Sequence, residues 1–332
     1  MRRLYRQQGV ALMTVLLVFA LVTLVASEIV ARVYVSIKQT GNQLIAAQAY
    51  QYALGGEAFT RQILRRDFEL DQKEGSKDHL GEIWATLSQR YEFDQGVIEI
   101  SVHDLQARLN INNLVDQAGV TNVQSMESFK RLLNNQAMDI GLVNAWVDWL
   151  DRDILPQDLG TEDEGYLALE KPYRTANQRM THLSELRLTK GMQRAYFEKL
   201  QPYLTALPEA TAVNINTAPA EVLKALIAEV DDAVAERIIE ARGESGFASL
   251  EALRQHESMA GLTLNEADFT VRTEYFEVLV RAYFAGREVW LKSILYRDAE
   301  KGIISLISRD RSGQFELQNE PEKPDNQLST KG

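Results

Sequence analysis

The chain has 332 residues, enough for a sizeable core and more than one small domain. Its 47 acidic and 36 basic side chains give a net charge of −11. Subtracting the three leading arginines leaves a body near −14, which repels nucleic acid and anionic head groups. There is no cysteine, which excludes disulfides, thiolate metal sites and cysteine nucleophiles without fixing a compartment.

Arg2, Arg3 and Arg6 precede an uncharged stretch, residues 7–27, in which Val10 to Ala26 is almost wholly apolar. About 20 helical residues cross a hydrocarbon core of roughly 30 Å, so this segment is expected to span a membrane once. The leading arginines favour a cytoplasmic N-terminus and a body on the far side. A removed secretory signal is the alternative, with Ala26-Ser27 as its small residues. The apolar helical spacing nevertheless continues through Ile29, Val33, Ile37, Leu44, Leu54, Phe59 and Leu64, and no proline occurs before Pro156. One helix over 10–66 is expected, roughly 85 Å long. Gly41 and the pair Gly55-Gly56 are its expected bend points.

Residues 73–77 read as a loop, and Val97–Val102 as a strand. From about 105 to 265 the pattern is mostly helical. Residues 270–284 then alternate with period two, placing Phe276, Val278, Val280, Ala282 and Phe284 on one face. Gly286 allows a turn, and Val289–Tyr296 and Ile303–Ile307 are two further strands. The polar, proline-containing stretch 309–332 is expected to be disordered. The fold class is α+β: a long N-terminal helix on a small antiparallel sheet, with a large inserted all-α domain. The units expected are 1–9, a leader; 10–66, the transmembrane and amphipathic helix; 67–104, the first part of the α+β domain; 105–265, the inserted helical domain; 266–308, the C-terminal strands; and 309–332, the tail.

Within the insertion, residues 213–253 resemble tandem helix-hairpin-helix modules. Asn214-Ile215-Asn216-Thr217 opens the unit, with Thr217 expected to N-cap a helix that has Pro219 near its first turn. Leu109-Asn110-Ile111-Asn112 echoes this opening and suggests a degenerate second copy. A phosphate-binding hairpin needs glycine-rich backbone that presents N–H groups. Here it reads Ala228-Glu229-Val230-Asp231-Asp232, and Lys224, Arg237 and Arg242 face eight acids within 213–253, with Glu209 just before. No nucleic-acid partner is expected.

Asp148, Asp151, Asp153, Asp158, Glu162, Asp163 and Glu164 fall within 17 residues. A flexible acidic loop suits calcium, which takes six to eight oxygen ligands, but the spacing is not that of an EF-hand. On the residues alone a solvated acidic loop remains open. Trp146 and Trp149, three apart on a helix, share one face and belong to the core. The four histidines are scattered, and no HExxH, GxSxG, P-loop or GxGxxG pattern occurs. Ser184 beside His182 makes no triad. An enzyme is not expected; a calcium-dependent hydrolase built on the acidic loop is the form one would take.

Several stretches resemble a known family. The basic leader, Gln7-Gln8-Gly9, followed at once by VALMTVLLVFAL, is similar to the leader of type IV pilins and type II secretion pseudopilins. The resemblance implies a prepilin peptidase cut between Gly9 and Val10 and methylation of the new N-terminus. Most members have a glutamate at the fifth position after the cut, where this chain has Thr14. The K minor pseudopilins lack that glutamate, are long, and carry an inserted domain with a similar acidic stretch. The matching residues here are Trp149, Asp151, Asp153, Pro156, Gly160, Glu162, Asp163, Tyr166, Pro172-Tyr173 and Ala176-Asn177. The resemblance implies a pilin-like fold and a structural calcium, for which Asp151, Asp153, Glu162 and Asp163 are the candidate ligands. It further implies a single-pass inner-membrane anchor with a periplasmic body, and minor pseudopilins I and J as partners. The implied role is in the tip complex of the pseudopilus that drives protein export across the outer membrane. A membrane-anchored helix-hairpin-helix DNA-uptake receptor or a type IV pilus minor pilin is the alternative.

Overall fold

A single helix, α1 (Val10–Glu74), begins the fold and runs past the expected end at residue 66. Its 65 residues rise about 97 Å. The computed structural model describes residues 10–87 and 89–313, so Gly9 with the rest of the leader, and positions 314–332 of the tail, lie outside the described residues. From Val10 to Thr40 every residue of α1 is exposed, and α1 is the one helix among the described residues long and apolar enough to cross a membrane. Thr14 returns its hydroxyl to the Ala11 carbonyl at 2.9 Å, which satisfies the donor without any partner outside the helix.

The second half of α1 lies on a five-stranded antiparallel sheet formed by β1 (Gln89–Phe93), β2 (Gly96–Asp104), β7 (Tyr275–Phe284), β8 (Arg287–Arg297) and β9 (Ile304–Asp310), in that spatial order. The expected strands are all present, and β1 is an addition. It pairs Gln89–Phe93 with Gly96–Ile100 through a tight turn. Its sequence, QRYEF, has too few apolar residues to announce a strand. Ala285 and Gly286, both at positive φ, form the two-residue connection of the β7–β8 hairpin, a geometry that matches the strand twist. Ala53, Leu64, Ile100, Val102, Phe276, Val278, Val280, Ala282, Leu291 and Leu295 fill the space between helix and sheet, with Trp84 packed edge-on against Phe276.

Gly55-Gly56 does not break the helix. A β-carbon on Gly56 would stand 2.8 Å from Val280 Cγ1 and 3.3 Å from Ile98 Cγ2, so the glycine lets backbone approach sheet. Close by, Glu57 is a carboxylate inside this interface, 2 % exposed. It accepts from Arg309 Nε at 2.6 Å and Nη2 at 2.9 Å, from Ser293 Oγ at 2.7 Å and from Arg61 at 2.5 Å. Burial alone would raise its pKa, but these donors outweigh burial and hold it low. Arg309, placed by the sequence reading in the tail, is therefore part of the edge strand and ties it to α1.

The chain between β2 and β7 forms the insertion, with its own core around Ile111, Leu114, Phe129, Leu132, Trp146, Val147, Ile215, Leu223 and Ile238. It contains β3 (Leu109–Asn110), α2 (Val123–Asn135), α3 (Leu142–Leu150), α4 (Asp163–Leu167), α5 (Arg194–Leu200) and β4 (Leu204–Thr205). There follow β5 (Val213–Asn214), α6 (Ala220–Leu226), α7 (Asp232–Arg242), α8 (Leu250–Gln255) and β6 (Phe269–Thr270). The two Asn-Ile-Asn segments adopt one local structure. Each begins with a two-residue strand in parallel pairing, β3 with β4 and β5 with β6. In each the first asparagine accepts from the N–H of the second, at 3.2 Å in Asn110–Asn112 and 3.0 Å in Asn214–Asn216. Ile111 and Ile215 are both fully buried. Thr217 is not the cap expected of it. Pro219 precedes α6, and the Thr217 hydroxyl donates to buried Asp104 at the end of β2. Asn214 and Thr273 bond the same Asp104 oxygen, which locks the insertion to the sheet.

Candidate metal centre

Helix α3 is apolar on most of its surface and buries both tryptophans, Trp146 against Phe129 and Trp149 against Tyr166 and Tyr173. This aromatic packing fixes the end of α3, and the acidic loop leaves from it. Asp151 is the C-cap, its N–H bonded to Val147 at 2.8 Å. The loop is then tied back: Asn144 Nδ2 donates to the Asp158 carbonyl at 2.5 Å, Lys190 Nζ to the Gly160 carbonyl at 2.9 Å, and the Lys190 N–H to the Tyr166 hydroxyl at 3.0 Å.

The fold brings Asp151, Asp153 and Glu162 together, with one carboxylate oxygen of each within 4.8 Å of the others. Asp151 and Glu162 are buried and Asp153 is exposed. Both oxygens of Asp151 and Oε1 of Glu162 are buried without a hydrogen-bond donor. Leaving acceptors in this state costs free energy unless something positive meets them. Burial, then the charges of neighbouring carboxylates, raises Asp151 to about 7 and Glu162 to about 7. Oxygen atoms that lack donors and repel one another suit a hard cation, and Asp151, Asp153 and Glu162 are of the kind that could hold calcium.

Asp163 is not aimed into this group. Its Oδ2 accepts from Arg174 at 2.6 Å and its Oδ1 from the N–H and hydroxyl of Thr175, each at 3.0 Å. It instead holds the 174–175 segment against the start of α4. Asp148, which the sequence reading left out of the ligand set, is fully buried. Its Oδ1 accepts from the Gln157 N–H at 2.9 Å, and its Oδ2 has no donor. A β-carbon at Gly160 would stand 1.9 Å from that Oδ2, so the loop reserves room for this carboxylate. Asn177 Oδ1 is likewise buried without a donor, on a residue at positive φ. Asp148 lies three residues before Asp151, one helical turn away, and that spacing is the signal that could have found it.

The hairpin between α6 and α7 is poorly made for phosphate. The Asp231 side chain already accepts from the Val234 N–H at 2.8 Å, filling the place at the helix N-terminus that an anion would take. Lys224 is paired with Glu221 and Asp232, and Arg242 is buried against the carbonyls of Ile215 and Ala218. His182 caps a short helical turn through the Ser184 N–H.

Two family models, both described as type II secretion system (T2SS) protein K, match residues 107–209 and 213–272, and each match starts beside one of the Asn-Ile-Asn units. The chain is 38% identical to the type II secretion system protein K of Pseudomonas aeruginosa, over 92% of each chain. It is 32% identical to that of Pectobacterium carotovorum, over 93% of this chain and 97% of the relative. A crystal structure of the GspK–GspI–GspJ complex from enterotoxigenic Escherichia coli superposes with a TM-score of 0.73 at 22% identity, covering 83% of this chain and all of the matched one. With a long N-terminal helix on an antiparallel sheet, an insertion between neighbouring strands and close relatives along nearly its full length, the chain belongs to the type II secretion system protein K family.

Proposed function

We propose that this chain caps the tip of a periplasmic pseudopilus, in complex with minor pseudopilins I and J, after a prepilin peptidase has cut between Gly9 and Val10 on the cytoplasmic side of the inner membrane. The observation that carries the reading is the placement of the insertion. Residues 105–274 enter and leave through adjacent strands β2 and β7, so a second globular body is mounted on the sheet and α1 keeps its own exposed length. Such a width suits the end of a filament better than its interior. Thr14 supports the same position, because a subunit at the end has no further subunit whose N-terminal amine would need a carboxylate. The neighbouring crystal structure is that of a GspK–GspI–GspJ complex, and α1 leaves Leu44, Phe59 and Leu70 exposed as separate apolar points that partner helices would cover.

In this reading calcium is structural. Asp151, Asp153 and Glu162 would hold it with Asp148 beside them, and it would supply the positive charge that pins the loop after α3. The test is to mix the periplasmic region with minor pseudopilins I and J at micromolar concentration and follow assembly by size-exclusion chromatography. A stoichiometric complex is expected, and separate elution of the three would defeat the proposal. Mass spectrometry of the native protein should find methylated Val10 as its first residue; a start at Met1 or near Glu28 would defeat the processing step.

A further inference from the structure

A second group of carboxylates lies where α1 ends. Asp67 and Asp71 come from its last turns, Asp78 and Glu82 from the following loop, and Arg297 from the end of β8. Asp67, Asp71 and Asp78 each place an oxygen within 4.8 Å of the others. Arg297 is 4 % exposed; it donates to Asp67 at 3.0 Å, to Asp78, and to the Thr273 carbonyl at 2.8 Å. Asp78 Oδ2 accepts from the Thr273 N–H at 2.7 Å. Glu82 accepts from Trp84 Nε1 and faces His79 at 3.5 Å. The insertion meets the same place: Asn214 donates to the Asp78 carbonyl at 3.1 Å, and the Gly81 N–H bonds the Glu244 carbonyl at 3.1 Å.

The charges do not balance. α1 contributes Asp67 and Asp71, and the loop contributes Asp78 and Glu82 with Lys77 and His79. The segment before β7 contributes Arg272 and Glu274, β2 contributes Asp104, and β8 contributes Arg297. Lys77 turns away to the Ser245 carbonyl and Arg272 to the Ser76 carbonyl. Arg297 is thus the one deeply placed cation among the described residues here, against several carboxylates. Carboxylates this close cannot all ionise. We propose that this cluster is a proton-dependent latch between the stalk helix and the inserted domain, closed when Asp71 and Glu82 hold protons and loosened when they release them.

Burial, followed by the neighbouring carboxylates, raises Asp67 to about 6, Asp71 to about 7 and Glu82 to about 9. The folded state therefore binds more protons than the unfolded chain. The contact weakens as pH rises from the ordinary carboxylate range near 4 through these values, and strengthens on acidification.

The experiment uses the full chain in detergent micelles with saturating calcium, so that the loop after α3 stays constant. Hydrogen exchange is followed by mass spectrometry from about pH 5.5 to about pH 10, so that the range crosses both Asp71 and Glu82, and expressed as protection factors. Peptides covering residues 67–84 should lose about tenfold in protection as pH rises, the equivalent of one pKa unit. Asp71→Asn and Glu82→Gln should each flatten that dependence, while Glu69→Gln, a change at an exposed ion pair with Arg65, should leave it. Protection that does not vary with pH in the unmutated chain overturns the latch. So does a slope that both amides leave intact, or one that Glu69→Gln flattens equally.

Discussion

The two carboxylate clusters look alike in composition and differ in what completes them. Asp67 and Asp78 pair with Arg297, which the fold delivers from β8, and Asp71 lies beside them. Asp151, Asp153 and Glu162 have no cation among them from the described residues, and Asp151 and Glu162 keep buried oxygens without donors. One cluster receives a single cation from the fold and keeps carboxylates in excess of it, and the other keeps buried oxygens that a cation from solution would suit. A run of acids therefore says little until the positions of cations and donors are known.

The largest expected effect breaks the first cluster at its centre. Arg297→Met should destabilise the fold by about 3–5 kcal/mol in chemical denaturation, because it leaves buried carboxylates without their partner. A loss below 1 kcal/mol would mean that the arginine does not balance them. Chelation of calcium comes next. At a calcium concentration a hundredfold above its dissociation constant the metal adds about 2.7 kcal/mol, so chelation should lower Tm by several degrees and Asp151→Asn should abolish that response. Arg297→Met should leave the calcium response in place, which separates the two clusters. Smaller again is Asp71→Asn, expected to raise Tm by about 2 °C at pH 8 and to leave it unchanged at pH 5, since the amide stands in for the protonated acid. The smallest effect is at Asp163. Its pair with Arg174 is exposed, so Asp163→Asn should barely move Tm and should preserve the calcium shift. Loss of that shift would return Asp163 to the ligand set.

Much of this architecture could be read from the chain. Uninterrupted apolar spacing without proline announced α1, period-two alternation announced β7, and the turn at Gly286 set off the further strands that became β8 and β9. What escaped depended on contacts distant in sequence. Gly55-Gly56 reads as a weak point by local propensity, yet Gly56 exists for Val280, far along the chain. Glu57 is a polar residue on a helix until Arg309 and Ser293 arrive from β9 and β8. The acidic loop was visible as a candidate site, but which acids converge was not. Asp163 points away and Asp148 is buried beside the group because hydrogen bonds from Thr175, and the gap left at Gly160, decide where each carboxylate points.

The unbroken course of α1 has a mechanical consequence. A rod without a joint transmits rotation as well as height, so the azimuth of everything mounted on the sheet is set by the number of residues below it. Adding one residue between Glu28 and Leu44 would turn the upper body by about 100° relative to the apolar end while lifting it only about 1.5 Å. Adding seven would restore its facing almost completely. Phase, more than reach, is what the length of this helix encodes.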